Sequence, residues 1–265
     1  MGKSEGKVAI IGGFARGIDK GAARVMAMEG ATVVLTDILD EVDKTAENIN
    51  DQGYKAVSFK MDVTKPAEVN YVVQRVLEQF AEVDILVNNA GVGISVPFVD
   101  MTDEVRDETF DVNLKGSFVC TQAVIPSMIE RRYGKIINIS PVTGPLVANI
   151  GDCAYAATKA ALLGFTRALA LEVAKYGMNV NDICPGMIET DMVKQAAAQI
   201  SPKDPESVIK QLARGIPIGR LGTMKEVGGI VAFLASDESK YVTGTSIIID
   251  GGSILPESPG VFTPA

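Results

Sequence analysis

The sequence predicts an α/β fold: one domain built on a doubly wound parallel sheet of about seven strands, with helices on both faces. Three observations predict it. Short, almost uninterrupted apolar runs alternate with longer stretches of helical periodicity, the pattern of strands buried on both faces and joined by right-handed helical crossovers. The first run feeds into a glycine-rich turn, Gly12-Gly13 to Gly17, and then a helix. The 265 residues, 47% of them hydrophobic, suffice for one sizeable core, and no linker or repeat divides them.

The first strand is the run 8–11, and helical spacing follows over 17–29. Run 31–35 is the second strand, ending in Leu35-Thr36-Asp37, and 56–59 is the third, followed by a helix over 66–81. Run 85–87 is the fourth and leads into Asn88-Asn89-Ala90-Gly91. Long helices are expected over 102–131 and 154–175, on either side of a fifth strand at 136–139. The second of these is rich in Ala and Leu, with Tyr155 and Lys159 near its start. Runs 178–184 and 246–249 complete the strands. Residues 185–205 read as a loop around a short helix near 192–199. The domain spans 1–265 with its core at about 7–252; the tail 253–265, Pro- and Gly-rich at 255–260, reads as a surface arm or a partner-contacting segment.

Composition narrows the function. The formal net charge is −8, and basic residues are scattered rather than clustered, so no nucleic-acid footprint is expected. No apolar run reaches the roughly 18 residues of a membrane span, and the start of the chain has no apolar targeting segment; a cytoplasmic protein is expected. Cys120, Cys153 and Cys184 are odd in number and far apart, which reads as buried or incidental thiols rather than disulfides or a metal site. There is no histidine. That excludes a Ser-His-Asp triad, histidine-ligated zinc and histidine general-base chemistry, and leaves proton transfer to Tyr, Lys, Cys, carboxylates or water.

A glycine turn between a strand and a helix lets the backbone approach a pyrophosphate at the helix N-terminus. Here the spacing is Gly13-x-x-x-Gly17, with Gly21 four residues on. Asp37, about 20 residues later at the end of the second strand, can accept hydrogen bonds from the adenosine ribose hydroxyls and would repel a 2′-phosphate. Together these predict a Rossmann-type domain that prefers NAD to NADP, with Arg16 as a partial counterweight. Tyr155 and Lys159 stand at i and i+4, on one helix face. A nearby ammonium stabilises a phenolate and lowers a phenol from its usual value near 10, giving an acid/base without histidine.

Asn88-Asn89-Ala90-Gly91, Tyr155-Ala156-Ala157-Thr158-Lys159 and the Gly13/Gly17 turn together resemble the short-chain dehydrogenase/reductase family. Asp62-Val63, Asn113 within Asp111-Val112-Asn113-Leu114-Lys115-Gly116, Pro185-Gly186 and Asp250-Gly251-Gly252 extend the resemblance over about 7–252. It implies an NAD(P)-dependent oxidoreductase that interconverts a secondary alcohol and a ketone by hydride transfer. Gly13, Arg16, Gly17 and Ile18 would lie along the pyrophosphate turn, Asp37 at the adenosine ribose, and Asp62 and Val63 beside adenine. Asn89, Ala90 and Gly91 would line the cofactor groove, with Pro185, Gly186, Ile188 and Thr190 at the nicotinamide end. Tyr155 would exchange the proton, Lys159 tune it and hold the nicotinamide ribose, Asn113 anchor a relay water, and a serine closing the fifth strand, here Ser140, bond the substrate oxygen. A small-molecule substrate, no metal and a homotetramer are also implied, the tetramer pairing 102–131 with 154–175 across one interface and 244–256 across another.

Four departures stand at functional positions. The family pattern Ser-Ser-x-x-Gly is here Ser140-Pro141-Val142-Thr143-Gly144, so Pro141, with neither hydroxyl nor N–H, replaces the working serine. Adjacent strand residues point to opposite faces, which turns Ser140 away unless a bend at Pro141 restores it or Thr143 supplies a hydroxyl. Gly12 and Phe14 replace the usual threonine and small residue, and Asp19 replaces the third glycine. Facing a pyrophosphate at roughly 5–6 Å, Asp19 would cost about 3 kcal/mol per charge pair. Asp182 interrupts an apolar strand and needs a partner if buried. Three readings stand: an NAD-preferring alcohol dehydrogenase/carbonyl reductase with turnover impaired by Pro141 and Asp19; a catalytically inactive homologue acting as a binding or structural protein; and an epimerase or dehydratase holding NAD tightly, disfavoured by the lack of an extra substrate domain.

Overall fold

The seven strands form a single parallel sheet in the order β3-β2-β1-β4-β5-β6-β7. The computed structural model describes residues 2–13 and 18–256. Strands β1 (Val8–Gly12), β2 (Thr32–Asp37), β3 (Lys55–Lys60), β4 (Ile85–Asn88), β5 (Gly134–Ile139), β6 (Met178–Pro185) and β7 (Ser246–Ile249) match the expected runs, β2 starting one residue after the expected 31. The order reverses between β1 and β4, the switch point where such sheets open a crevice at the strands' C-terminal ends. Phe14, Arg16 and Gly17, the side chains of Ile18 and Asp19, and the tail beyond 256 lie outside the described residues.

Alternation along the strands builds two cores. Ile11, Leu35, Val87, Ile137 and Ile183 face one side with Ala22, Val227 and Val231 of helices α1 (Ile18–Met28) and α9 (Met224–Ala235). Ile10, Val34, Leu86, Ile136 and Val180 face the other. They meet Val73 of α3 (Pro66–Phe80), Val124 of α5 (Gly116–Arg131) and Val173 of α6 (Cys153–Val173). Each such side chain contributes roughly 1.5–3 kcal/mol by leaving water. Pro66 at the first turn and the Thr223–Glu226 capping box fix the starts of α3 and α9.

The helix expected over 102–131 is three joined pieces: α4 (Asp103–Phe110), a π-helical turn Asp111–Lys115, and α5. The short helix expected near 192–199 is α7 (Asp191–Ile200), with Thr190 Oγ1 accepting from the Val193 N–H at its start. Helices α2 (Glu41–Asp51) and α8 (Pro205–Ala213) complete the order. No described helix is long and apolar enough to cross a membrane.

Candidate active site

At the switch point the ends of β1, β2 and β4 leave a groove of about 610 Å³ whose walls include Gly13, Asp37, Asp62, Val63, Asn89, Ala90 and Gly91. Gly13 has φ +79°, and a Cβ there would lie 2.5 Å from Ala90 Cα. Only glycine lets these two backbones meet. Asp37 Oδ1 accepts from the Leu39 N–H at 2.9 Å, which holds the carboxylate at the groove. Burial alone would raise the Asp62 carboxyl, but hydrogen bonds from the Thr64 hydroxyl and N–H, with Lys65 beside it, hold it below its usual value. Glu108 of α4 and Asp111 of the π-helical turn also line the groove, a placement the sequence reading did not expect because these segments reach it only through the fold. A glycine cradle with the Asp37 and Asp62 carboxylates along one groove suits a nicotinamide dinucleotide.

A second cavity of about 450 Å³ adjoins this groove, sharing Asn89, Gly91, Val92 and Met192 with it and lined by Tyr155, Lys159, Gly186, Ile188 and Thr190. Tyr155 and Lys159 share a face of α6, the Lys159 ammonium 5.9 Å from the centre of the Tyr155 ring. Lys159 is buried and donates to the Ile139 carbonyl at 3.0 Å. The expected lowering of the phenol is reversed: burial pushes Tyr155 up to about 12, and the Asp152 charge adds to it. Pro185 stands apart from the cavity, closing β6, where its carbonyl accepts from the Val142 N–H.

Asn113 sits in the π-helical turn and is fully buried. Its Oδ1 accepts from the Val92 N–H at 2.7 Å, and its Nδ2 donates to the Val92 carbonyl at 2.9 Å and to Thr158 Oγ1 at 3.3 Å. These bonds tie the segment after β4 to α6. Its side chain is off the cavity wall.

Ser140 is turned away from the cavity, as strand alternation predicts. It is fully buried, and its Oγ donates to Asp182 Oδ2 at 2.6 Å. Cys184 Sγ donates to the other carboxylate oxygen at 3.3 Å. These are the partners that a buried Asp182 needs, yet burial still pushes its carboxyl up to about 7. Pro141 itself lines the cavity, so neither residue presents a hydroxyl there. Thr143 is bridged to Val147 in the following turn.

A family model described as enoyl-(acyl carrier protein) reductase matches residues 13–253. The chain belongs to the short-chain dehydrogenases/reductases. It is 49% identical to oxidoreductase UcpA of Salmonella typhimurium over 261 residues, covering 98% of this chain and 99% of that protein. It is 41% identical to the 3-oxoacyl-[acyl-carrier-protein] reductase FabG of Thermotoga maritima over 255 residues, 95% and 99% of the two chains. Among solved structures, levodione reductase superposes with a TM-score of 0.87 at 30% identity, over 95% of this chain and 98% of its own.

Within this short-chain dehydrogenase/reductase, the fold gathers the glycine cradle, Asp37, Asp62, Asn89, Tyr155 and Lys159 along one continuous crevice. It leaves Ser140 behind the wall. The cavity also presents Ser95 and Asp152, which the sequence reading missed. Asp152 could have been flagged from its place three residues before Tyr155; Ser95 carries no local signal. Met187, Met192 and Val193 add an apolar lining.

Proposed function

We propose that the protein is an NAD-preferring oxidoreductase that interconverts a secondary alcohol and a ketone, with slow turnover. The observation that carries this is the placement of Tyr155 and Lys159 in a cavity continuous with the dinucleotide groove. A bound nicotinamide dinucleotide supplies hydride transfer. Tyr155 holds the proton exchanged with the substrate oxygen. Raised to about 12, it stays protonated at neutral pH and serves as the acid of ketone reduction; alcohol oxidation should climb as pH rises well above neutral. Lys159 holds the ribose side, Asn113 fixes the wall carrying Val92, and Met187, Ile188 and Met192 keep water from the reacting atoms.

Four carboxylates, Asp37, Asp62, Glu108 and Asp111, and no cation line the groove among the described residues, which supports NAD over a dinucleotide bearing a 2′-phosphate. Calorimetry should find NAD the tighter ligand; tighter NADP overturns the preference. A screen of secondary alcohols and ketones, followed by nicotinamide absorbance, should reveal activity that Tyr155→Phe removes. Full activity in that variant would end the catalytic assignment.

The second reading, an inactive homologue kept as a binding or structural protein, is favoured by Pro141 on the wall and Ser140 held by Asp182. Retained dinucleotide binding without turnover, even after Pro141→Ser, would select it. We further propose a homotetramer, supported by apolar exposure on Leu171 of α6 and Ile248 of β7. A cytoplasmic location accords with three cysteines in no disulfide. The substrate is a small molecule, and the net charge of −8 argues against nucleic acid as a partner.

A further inference from the structure

We propose that Asp152 and Ser95 form a subsite for a second hydroxyl, so that the favoured substrate is an uncharged diol or its hydroxyketone. This rests on the alcohol–ketone reading above and names its substrate class.

The cavity beside Tyr155 has an apolar part, with Pro141, Met187 and Val193, and a polar part in which Ser95 and Asp152 stand together. These two come from segments far apart in sequence, the loop after β4 and the residue preceding α6. Ser95 Oγ donates to Asp152 Oδ1 at 2.5 Å, Asn149 Nδ2 donates to Asp152 Oδ2 at 3.1 Å, and the Val96 N–H donates to the Gly151 carbonyl at 3.0 Å. The carboxylate is thereby held from both oxygens while remaining half-buried, and each oxygen keeps acceptor capacity for a ligand.

An aspartate before a helix ordinarily caps it by accepting from backbone N–H groups. Asp152 occupies the N-cap position of α6 and makes no such bond. Its orientation is set by Ser95 and Asn149, toward the cavity. It also lies close enough to Tyr155 for its charge to raise the phenol.

Charge selects what it binds. A carboxylate substrate would meet Asp152 as a like charge, and an ammonium, though drawn to Asp152, would share the cavity with the Lys159 ammonium and give up far more hydration than a hydroxyl. A hydroxyl donates to Asp152 and meets neither penalty. The second hydroxyl is not consumed. The carbinol carbon gives its hydride to the dinucleotide, its own hydroxyl gives up the proton, and a C=O remains.

The test titrates NAD-loaded protein with trans-1,2-cyclohexanediol, cyclohexanol and trans-2-aminocyclohexanol, reading affinity by saturation-transfer NMR, which needs no turnover. The diol should bind at least about tenfold tighter than cyclohexanol, the scale of a hydrogen bond to a charged acceptor, and the amino alcohol no tighter than cyclohexanol. Asp152→Ala should bring the diol-to-alcohol ratio to about one, and Ser95→Ala, which keeps the charge, should reduce it partway. The ratio in the unaltered chain is itself decisive, so a variant that fails to fold costs nothing. Equal affinities, no binding of either alcohol, tightest binding of the amino alcohol, or a ratio unmoved by Asp152→Ala overturns the subsite. Failure of the oxidoreductase reading shows separately, as no saturable NAD or NADP binding, and takes the subsite with it.

Discussion

Asp182 is a carboxylate sealed inside a sheet, and pH should reveal what it costs. Its folded value, about 7, stands above the ordinary 3.8. The fold therefore favours the protonated form: the stability this supplies is complete below pH 4 and is lost as pH rises through 7. The loss is on the order of 4 kcal/mol. Asp182→Asn should thus be more stable than the parent at pH 8 and close to it at pH 4, measured by urea denaturation; a difference independent of pH would refute the account. Pro141→Ser would add a hydroxyl to the cavity wall. Since losing one transition-state donor commonly costs about 10²–10³ in rate, kcat should rise at least about tenfold. Ser140→Ala should leave kcat nearly unchanged, because that hydroxyl serves Asp182; abolished turnover would make Ser140 the working group. At this scale the sequence was legible where chemistry follows chain order: Gly13 before α1, Asp37 at the end of β2, Tyr155 and Lys159 one helical turn apart. Ser95 and Asp152 were not, because only the folding of two loops onto one another brings them together. The phenol's direction was missed for a related reason: spacing shows the nearby ammonium but not the burial that outweighs it.

Elements meet where small residues permit it. Helix α1 crosses α9 at Gly21 and Gly228, where a Cβ on Gly228 would come 2.8 Å from the Gly21 carbonyl oxygen and 2.9 Å from Val25 Cγ2. Gly228→Ala must push the helices apart, costing about 1–3 kcal/mol, seen as a lower urea midpoint; an unchanged midpoint would show that the contact yields. All seven strands were legible because each is an apolar run bounded by turn residues, the central ones buried on both faces and the edge strands β3 and β7 only in part. The wide turn Asp111–Lys115 was not: its residues suit an α-helix, and what it achieves is seating Asn113 against Val92 and Thr158. Such turns recur at functional sites. Helix α8, none of whose residues is buried, went unnamed.

The whole molecule presents apolar side chains that one copy does not cover. Phe118, on α5, stacks on Phe165 of α6 with ring centres 4.1 Å apart yet remains 40% exposed, and Leu171 farther along α6 is 85% exposed. A symmetric pairing of these helices would bury both. Light scattering at micromolar concentration should give the mass of four chains, and Leu171→Glu should reduce it; a monomer in the parent would reject the tetramer. The sheet has a further consequence. Every residue of β5 and β6 is buried, whereas Gly93 and Ser95 at the cavity are exposed. In deuterium, amides of the central strands should exchange only when the whole domain opens, and those at the cavity through small local openings. The molecule would then show two clocks, a slow one at its centre and a fast one where substrate must enter and product leave.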